Sequence, residues 1–297
     1  MLFQIMGIRM NTQVNLVKGS ILVIIGFFFM AVFGVLTKAA YVNDSGIWIS
    51  FITYLISTIL LLPFILFKGL SYLKSEHFPY HFCRAAFGCA ASFLYMLSMH
   101  YIPLVNATLL FNVAPIYLPI LAIIFMKEKI STRVWLAIGL GLIGIIIIIK
   151  PNAQIFEQSG DLIGLASGMS LAIAYFMIKL LSSTDPSLRV IFYYFFLSLI
   201  LQLPLLFFAG ELPPMKEIIL AALAGASLVL AQIFIVEGYK YAPVSKVGVF
   251  QYTSIVFVGI IDWMIWGIVP TASALFGALL VVLAAYFIIS SKRDLKT

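Results

Sequence analysis

The hydrophobic residues of this chain neither alternate nor form narrow stripes. They run on in long stretches, with polar residues gathered in the short breaks between them. Ten stretches read as helices, at about 19–41, 47–67, 82–101, 104–126, 133–150, 161–182, 188–209, 216–239, 243–266 and 270–290. Runs of roughly 18–22 residues are long enough to cross a hydrocarbon core of about 30 Å. No water satisfies backbone groups in such a core, so a spanning segment is a helix or a strand of a closed barrel. Barrel strands alternate apolar and polar positions and these runs do not, which favours helices. The fold class expected is an all-α integral membrane protein with ten transmembrane helices.

Composition sharpens this picture. Charged residues are 10% of the chain and the mean hydropathy is +1.14, whereas soluble domains carry about 25% charge. A length of 297 residues leaves no room for a separate soluble domain. The net charge of +7 would suit nucleic acid, but the cations cluster in short loops between apolar runs, as membrane topology requires. With the N-terminus inside, fourteen of the eighteen Lys and Arg fall on the cytoplasmic side: Arg9, Lys18, Lys68, Lys74, Arg84, Lys127, Lys129, Arg133, Arg189, Lys240, Lys246, Lys292, Arg293 and Lys296. Lys38, Lys150 and Lys216 fall outside, and Lys179 lies near an inner helix end. Both termini are therefore expected in the cytoplasm. The first apolar run is too long for a signal peptide and is expected to stay as a span. Met10 offers an alternative start. Cys83 and Cys89 lie six apart in one apolar run and read as small core residues.

The chain also repeats itself. Lys38 recurs as Lys179 and Pro63 as Pro204, each 141 positions on; Tyr101 and Pro103 recur as Tyr241 and Pro243, 140 positions on. Phe51/Phe192, Ser57/Ser198 and Leu62/Leu203 fit the same register, and Gly139 falls opposite Gly277 after a small gap. Lysine and proline are rare within spans, so those pairs carry the match. Each copy holds five helices, and copies with an odd number of spans face opposite sides of the membrane. The organisation expected is a cytoplasmic segment (1–18), a first five-helix repeat (19–150), an inverted second repeat (161–290) and a cytoplasmic tail (291–297).

Pro115, the apolar run to Phe125-Met126-Lys127-Glu128, and then Trp135, Gly139 and Gly144 resemble a pattern of the drug/metabolite transporter superfamily, in its EamA-type branch. Arg84 is similar to an arginine often found at the start of the third span in that family. The second copy departs from the pattern, reading Trp266-Gly267-Ile268-Val269-Pro270 where a glutamate is expected. The resemblance implies a ten-helix carrier, from a group that includes exporters of amino acids and metabolites and importers of S-adenosylmethionine. It also implies a structural or gating role for Glu128, which the residues alone would pair with Lys127, Lys129 and Arg133.

Polar side chains deep in spans are costly and often functional. Thr108 and Asn112 share a helical face, with Pro115 three positions further freeing a carbonyl. Under the repeat, Phe111-Asn112 correspond to Gln251-Tyr252, and both pairs are expected near the axis relating the halves. Thr108, Asn112, Gln251, Tyr252, Tyr175 and Gln232 are the candidate substrate-binding residues, with Tyr95 a further cavity candidate. Lys38, Lys179, Glu237 and Glu128 are the candidates for coupling or gating, and Asp262 for pairing with an outer lysine. Each also has a purely structural reading, as a snorkelling cation or an interhelical hydrogen bond. Gly160, Gly164, Gly168 and Ala172 form a stripe suited either to an internal helix contact or to a homodimer. His100 sits at an outer helix end, where a lone histidine is more often inert. His77 and His81 are split by Pro79, so one regular helix is not expected there and a metal site is not expected.

No Walker loop, Gly-x-Ser-x-Gly or HExxH pattern occurs. The sequence thus points away from an enzyme and from any cofactor, metal or nucleic-acid partner. It points to a gradient-driven carrier of the inner (cytoplasmic) membrane. Its partners would be the bilayer, a small polar metabolite such as an amino acid or an S-adenosylmethionine-like compound, and protons or a counter-substrate. The rival reading is an integral-membrane enzyme acting on lipid or polyprenyl substrates, against which Glu237 and Asp262 stand at opposite ends of their spans. A passive channel is a further alternative.

Overall fold

The computed structural model describes residues 15–40, 46–151 and 159–290. Among these residues the regular structure is entirely helical: α1 (Leu16–Ala40), α2 (Gly46–Lys68), α3 (Phe78–Ser98), α4 (Leu104–Phe111), α5 (Ala114–Met126), α6 (Thr132–Ile149), α7 (Ser159–Leu181), α8 (Ser187–Gln202), α9 (Met215–Tyr241), α10 (Val244–Val247), α11 (Thr253–Trp266) and α12 (Ala272–Ser290). Short 3-10 turns occupy Leu70–Leu73, Leu203–Phe208 and Gly248–Tyr252. The alternative start at Met10, most of the N-terminal segment and the tail lie outside the described residues. The first helix opens at Leu16, so its last cationic flank, Lys18, is already helical.

Among the described residues nine helical segments are long and apolar enough to cross a membrane. The sequence reading has a tenth, and the difference is α3. At 21 residues it is long enough, but His81 and Arg84 dilute its hydropathy. It also begins earlier than expected. Pro79 lies in its first turn, where the missing N–H would be unpaired in any case. Two expectations are corrected as a result. His81 lies within a regular helix and is fully buried, and Arg84, expected at the cytoplasmic start of the third helix, lies further along it and is buried.

Prolines punctuate the chain. Pro103, Pro186, Pro214 and Pro243 are the N-cap residues of α4, α8, α9 and α10. Two spans are interrupted. The segment Leu104–Met126 breaks at Asn112 and Val113 between α4 and α5. The segment Val244–Trp266 passes through the 3-10 turn Gly248–Tyr252. Both open after a proline with ψ of 141°, at Pro103 and Pro243. Both close on a left-handed residue, at Lys127 (φ 53°) and Gly267 (φ 67°). The left-handed conformation costs a lysine more than a glycine, but it ends the helix in the same way.

The packing pairs recur when first-half helices are exchanged for second-half ones. Contact of α1 with α9 is matched by α7 with α3, and α2 with α9 by α8 with α3. Contact of α1 with α11 is matched by α7 with α4 and α5. Two pairs, α2 with α8 and α6 with α12, map onto themselves, and both run antiparallel. A Cβ added to Gly144 would lie 2.6 Å from the carbonyl of Gly277 and 3.0 Å from Val281, while one on Gly277 would reach Ile148. Ser50 Oγ donates to Gln202 Oε1 at 2.6 Å, and the Tyr54 and Phe195 rings lie 6.0 Å apart. Gly139, matched with Gly277 by sequence, has open space where a Cβ would go, so that pair does not share an environment.

The small-residue stripe serves internal contacts. Cβ atoms at Gly160, Gly164 and Gly168 would strike Tyr101, Leu110 and the carbonyl of Leu110, the last at 2.5 Å. The carbonyl of Phe111, left without a helical donor by Pro115, also faces Gly168 at 3.2 Å from that position. The break at Pro115 thus brings the backbone of α4 close to α7 at Gly168.

Candidate functional site

Two polar groupings lie inside the bundle. The first is at the broken spans. Asn112 and Gln251 are buried, and Gln251 Nε2 donates to Asn112 Oδ1 at 3.2 Å. Asn112 Nδ2 donates to the carbonyl of Thr108 at 2.9 Å, one turn back. Thr108 Oγ1 lies 2.9 Å from Tyr95 Oη, whose ring sits 5.0 Å from that of Phe111. Gln251 Oε1 is buried with no hydrogen-bond partner among the described residues. An amide from each broken span thus meets at the interruptions, where backbone and side-chain polar groups escape the helical pattern. Tyr252 follows Gln251 in the same 3-10 turn. It is fully buried, and its ring lies against Gly141, where any Cβ would fall 2.3 Å from Cδ2.

The second grouping surrounds Arg84, which is 1% exposed. Its Nη1 donates to the Val190 carbonyl and its Nη2 to Gln232 Oε1, both at 2.8 Å. The guanidinium stands 4.6 Å from the centre of the Tyr194 ring, and Tyr194 Oη lies 3.0 Å from Tyr54 Oη. Tyr175, also buried, packs with Phe27 and Tyr239 at 6.2 Å. Gln232 is therefore a central polar residue as expected from its position. The sequence reading placed Arg84 at the membrane edge and did not single out Tyr54 or Tyr194. Starting the third helix at Pro79 would have moved Arg84 inward. Along α3, Tyr95 is eleven residues beyond Arg84, about 16 Å at the helical rise. The two groupings thus stand at different depths.

The coupling and gating candidates do not join either grouping. Lys38 is exposed, pairs with Asp262 at 3.2 Å and stands 4.8 Å from the Trp266 ring. Lys179 is buried and donates to the carbonyls of Tyr239 and Ala242 at 2.8 and 3.0 Å, closing the end of α9. The two repeat-matched lysines therefore have different surroundings. Glu128 accepts from Ser245 Oγ across the ends of the two broken spans. Burial pushes its carboxyl above the usual carboxylate value, while the Ser245 hydroxyl and the Lys179 and Lys246 ammonium groups pull it back. Glu237 accepts from Ser187 Oγ at 2.7 Å and pairs with Lys240 at 2.9 Å.

A further polar tie lies at the same end of the bundle. Asp185, buried between α7 and α8, accepts from Ser75 Oγ and Thr184 Oγ1 and pairs with Arg189. His81 Nε2 lies 3.6 Å away. Arg189 Nε also donates to the Tyr72 carbonyl at 2.6 Å, and Tyr193 Oη to that of Leu73 at 2.7 Å. Burial raises the Asp185 carboxyl, but His81 and Arg189 outweigh it and hold the group well below the usual carboxylate range. No group of three or more His, Cys, Asp or Glu suited to a metal occurs among the described residues.

Known proteins similar to this chain are transporters. A pseudopaline exporter of Pseudomonas aeruginosa is 24% identical over 277 residues, covering 93% of this chain and 97% of its own. An S-adenosylmethionine uptake transporter of Rickettsia bellii is 26% identical over 247 residues, covering 82% and 84%. A riboflavin transporter of Vibrio cholerae is 27% identical over 253 residues, covering 81% of each chain. A crystal structure 17% identical in sequence superposes with a TM-score of 0.79, covering 94% of this chain and 99% of its own. The pattern of the EamA-like transporter family matches residues 17–150 and matches again over 158–290. Two matches that take in nearly all of the apolar chain, with relatives that are membrane transporters and not enzymes, establish that this multi-pass membrane protein belongs to the EamA-like transporter family.

Proposed function

We propose that this chain is a secondary transporter of the inner membrane that moves a small polar metabolite by alternating access between two inverted five-helix halves. Ten spans, with α3 as the third and both termini cytoplasmic, complete this reading. One observation carries it: the self-matched pairs α2 with α8 and α6 with α12 run antiparallel. Halves related by an axis along the bilayer normal would place such pairs parallel, whereas an axis in the membrane plane makes them antiparallel. The two interrupted spans meeting at Asn112 and Gln251 support a substrate position between the halves. Arg84 and Gln232 supply buried, hydrogen-bonded polar groups within the bundle.

Transport then requires that the solute bind the two facing states with different affinity, since only differential affinity shifts their balance. The substrates of the relatives, together with these interior amides and tyrosines, favour an amino acid or an S-adenosylmethionine-like compound. A proton or a counter-substrate supplies the gradient. The test is flux in proteoliposomes of the purified protein, loaded with a cell metabolite extract and read by mass spectrometry. Saturable flux of particular solutes, accelerated by the same solute on the opposite side, is expected. Flux that rises linearly without counterflow, or none above protein-free liposomes, overturns the proposal.

A further inference from the structure

Arg84 is a full positive charge sealed in the bundle. Arginine stays protonated in proteins, and moving such a charge out of water costs several kcal/mol unless an anion offsets it. Among the described residues no carboxylate pairs with it: its neighbours are the Val190 carbonyl, the Gln232 amide oxygen and the Tyr194 ring face. The guanidinium carries five N–H donors, and these contacts engage two of them. Two other buried charges of the described interior differ. Lys179 is held by two carbonyls at a helix end, and Asp185 by Arg189. Arg84 alone among these three is central and is left with spare donors and no full counter-charge.

We infer that Arg84 is the anion-binding subsite of the transport path and that the solute presents a single carboxylate to it. This rests on the transporter reading. The planar fork of the guanidinium matches a carboxylate with two parallel N–H···O bonds. One arginine balances one negative charge, so a carboxylate fits better than a phosphate monoester, which carries nearly two. Gln232 and the Val190 carbonyl fix the guanidinium in place, and the Tyr194 face supports it from one side. The solute enters as the missing counter-ion. Its carboxylate is desolvated only where a positive charge already stands desolvated.

The test uses full-length protein in proteoliposomes loaded with a cell metabolite extract. The solutes carried by the wild type are expected to bear a carboxylate. Arg84→Gln is expected to lower their flux about 30-fold or more, the scale of losing one partner of a buried charge pair, while Arg84→Lys retains a measurable part. Carboxylate-free or phosphorylated solutes carried as fast as carboxylates overturn the inference while leaving the transporter reading intact. So does Arg84→Gln flux within about threefold of wild type. No flux of any solute by the wild type removes the transporter reading itself, and this inference with it. If Arg84→Gln does not accumulate in the membrane, wild-type flux is competed with the transported solute and with its carboxamide. A carboxamide about 30-fold weaker supports the inference, and equal competition overturns it.

Discussion

Gln251 donates from Nε2 to Oδ1 of Asn112 at 3.2 Å, so the interruption of one span is hydrogen-bonded to the interruption of another. As a structural bond between helices it is worth about 0.6 kcal/mol, too little to decide whether the protein folds. As a solute contact each amide is worth more. Asn112→Ala and Gln251→Ala are expected to lower flux about tenfold each with membrane accumulation unchanged, and the double variant to lose less than the product. Initial rates in proteoliposomes, set against protein recovered from the membrane, check this.

Tyr252 separates packing from polarity. Its ring fills the space over Gly141, and its hydroxyl is buried with no partner among the described residues. Tyr252→Ala is expected to lower the melting temperature in detergent, as loss of a buried aromatic costs about 3–5 kcal/mol. Tyr252→Phe is expected to leave melting unchanged. Loss of flux in Tyr252→Phe would then assign the hydroxyl to the solute.

The two repeat-matched lysines are expected to behave differently. Lys179 donates to two buried carbonyls, and hydrogen bonds from a charged group contribute about 1.5–3 kcal/mol. Lys179→Ala should lower stability and accumulation. Lys38 and Asp262 form an exposed pair, worth at most about 1 kcal/mol, so Lys38→Ala should leave stability nearly unchanged. Melting of both variants in detergent distinguishes the two.

The Asp185 tie has a defined pH window. Its carboxyl lies well below the usual value in the folded protein because His81 and Arg189 outweigh burial. A carboxylate with a depressed folded value contributes stability above its unfolded value, near 3.9, and loses it progressively as pH falls further towards the folded value. Melting is thus expected to be insensitive to this group from neutral pH to about 4.5, flanking the unfolded value. Asp185→Asn should be less stable than wild type at pH 7, with the gap narrowing below about pH 4.

Much of this architecture is legible in the chain because membrane helices need long apolar runs, and prolines mark their starts. Pro103 and Pro243 gave the entry to both broken spans, and Asn112 and Gln251 stood out as amides in apolar surroundings. Arg84 was hidden by its nearness to the basic loop with Lys74. Only the early start of α3 at Phe78 carries it inward. The Asp185 tie was hidden because, beyond the local Arg189 four positions on, its partners Ser75 and His81 come from the other half of the chain. In the same way Lys38 and Lys179 look alike in sequence and differ in space, because what surrounds a side chain comes from helices distant in the chain.

The most direct measurement of the central claim is a pair of spin-label distances across the halves. One pair, Glu76→Cys with Ser183→Cys, reads the end tied by Asp185. The other, Ile47→Cys with Glu211→Cys, reads the end where Trp48 Nε1 donates to the Gly210 carbonyl. Both are placed in a protein lacking Cys83 and Cys89. Addition of a transported solute should lengthen one distance while shortening the other. Distances that change together, or that both stay fixed while flux continues, would contradict alternating access between the two halves.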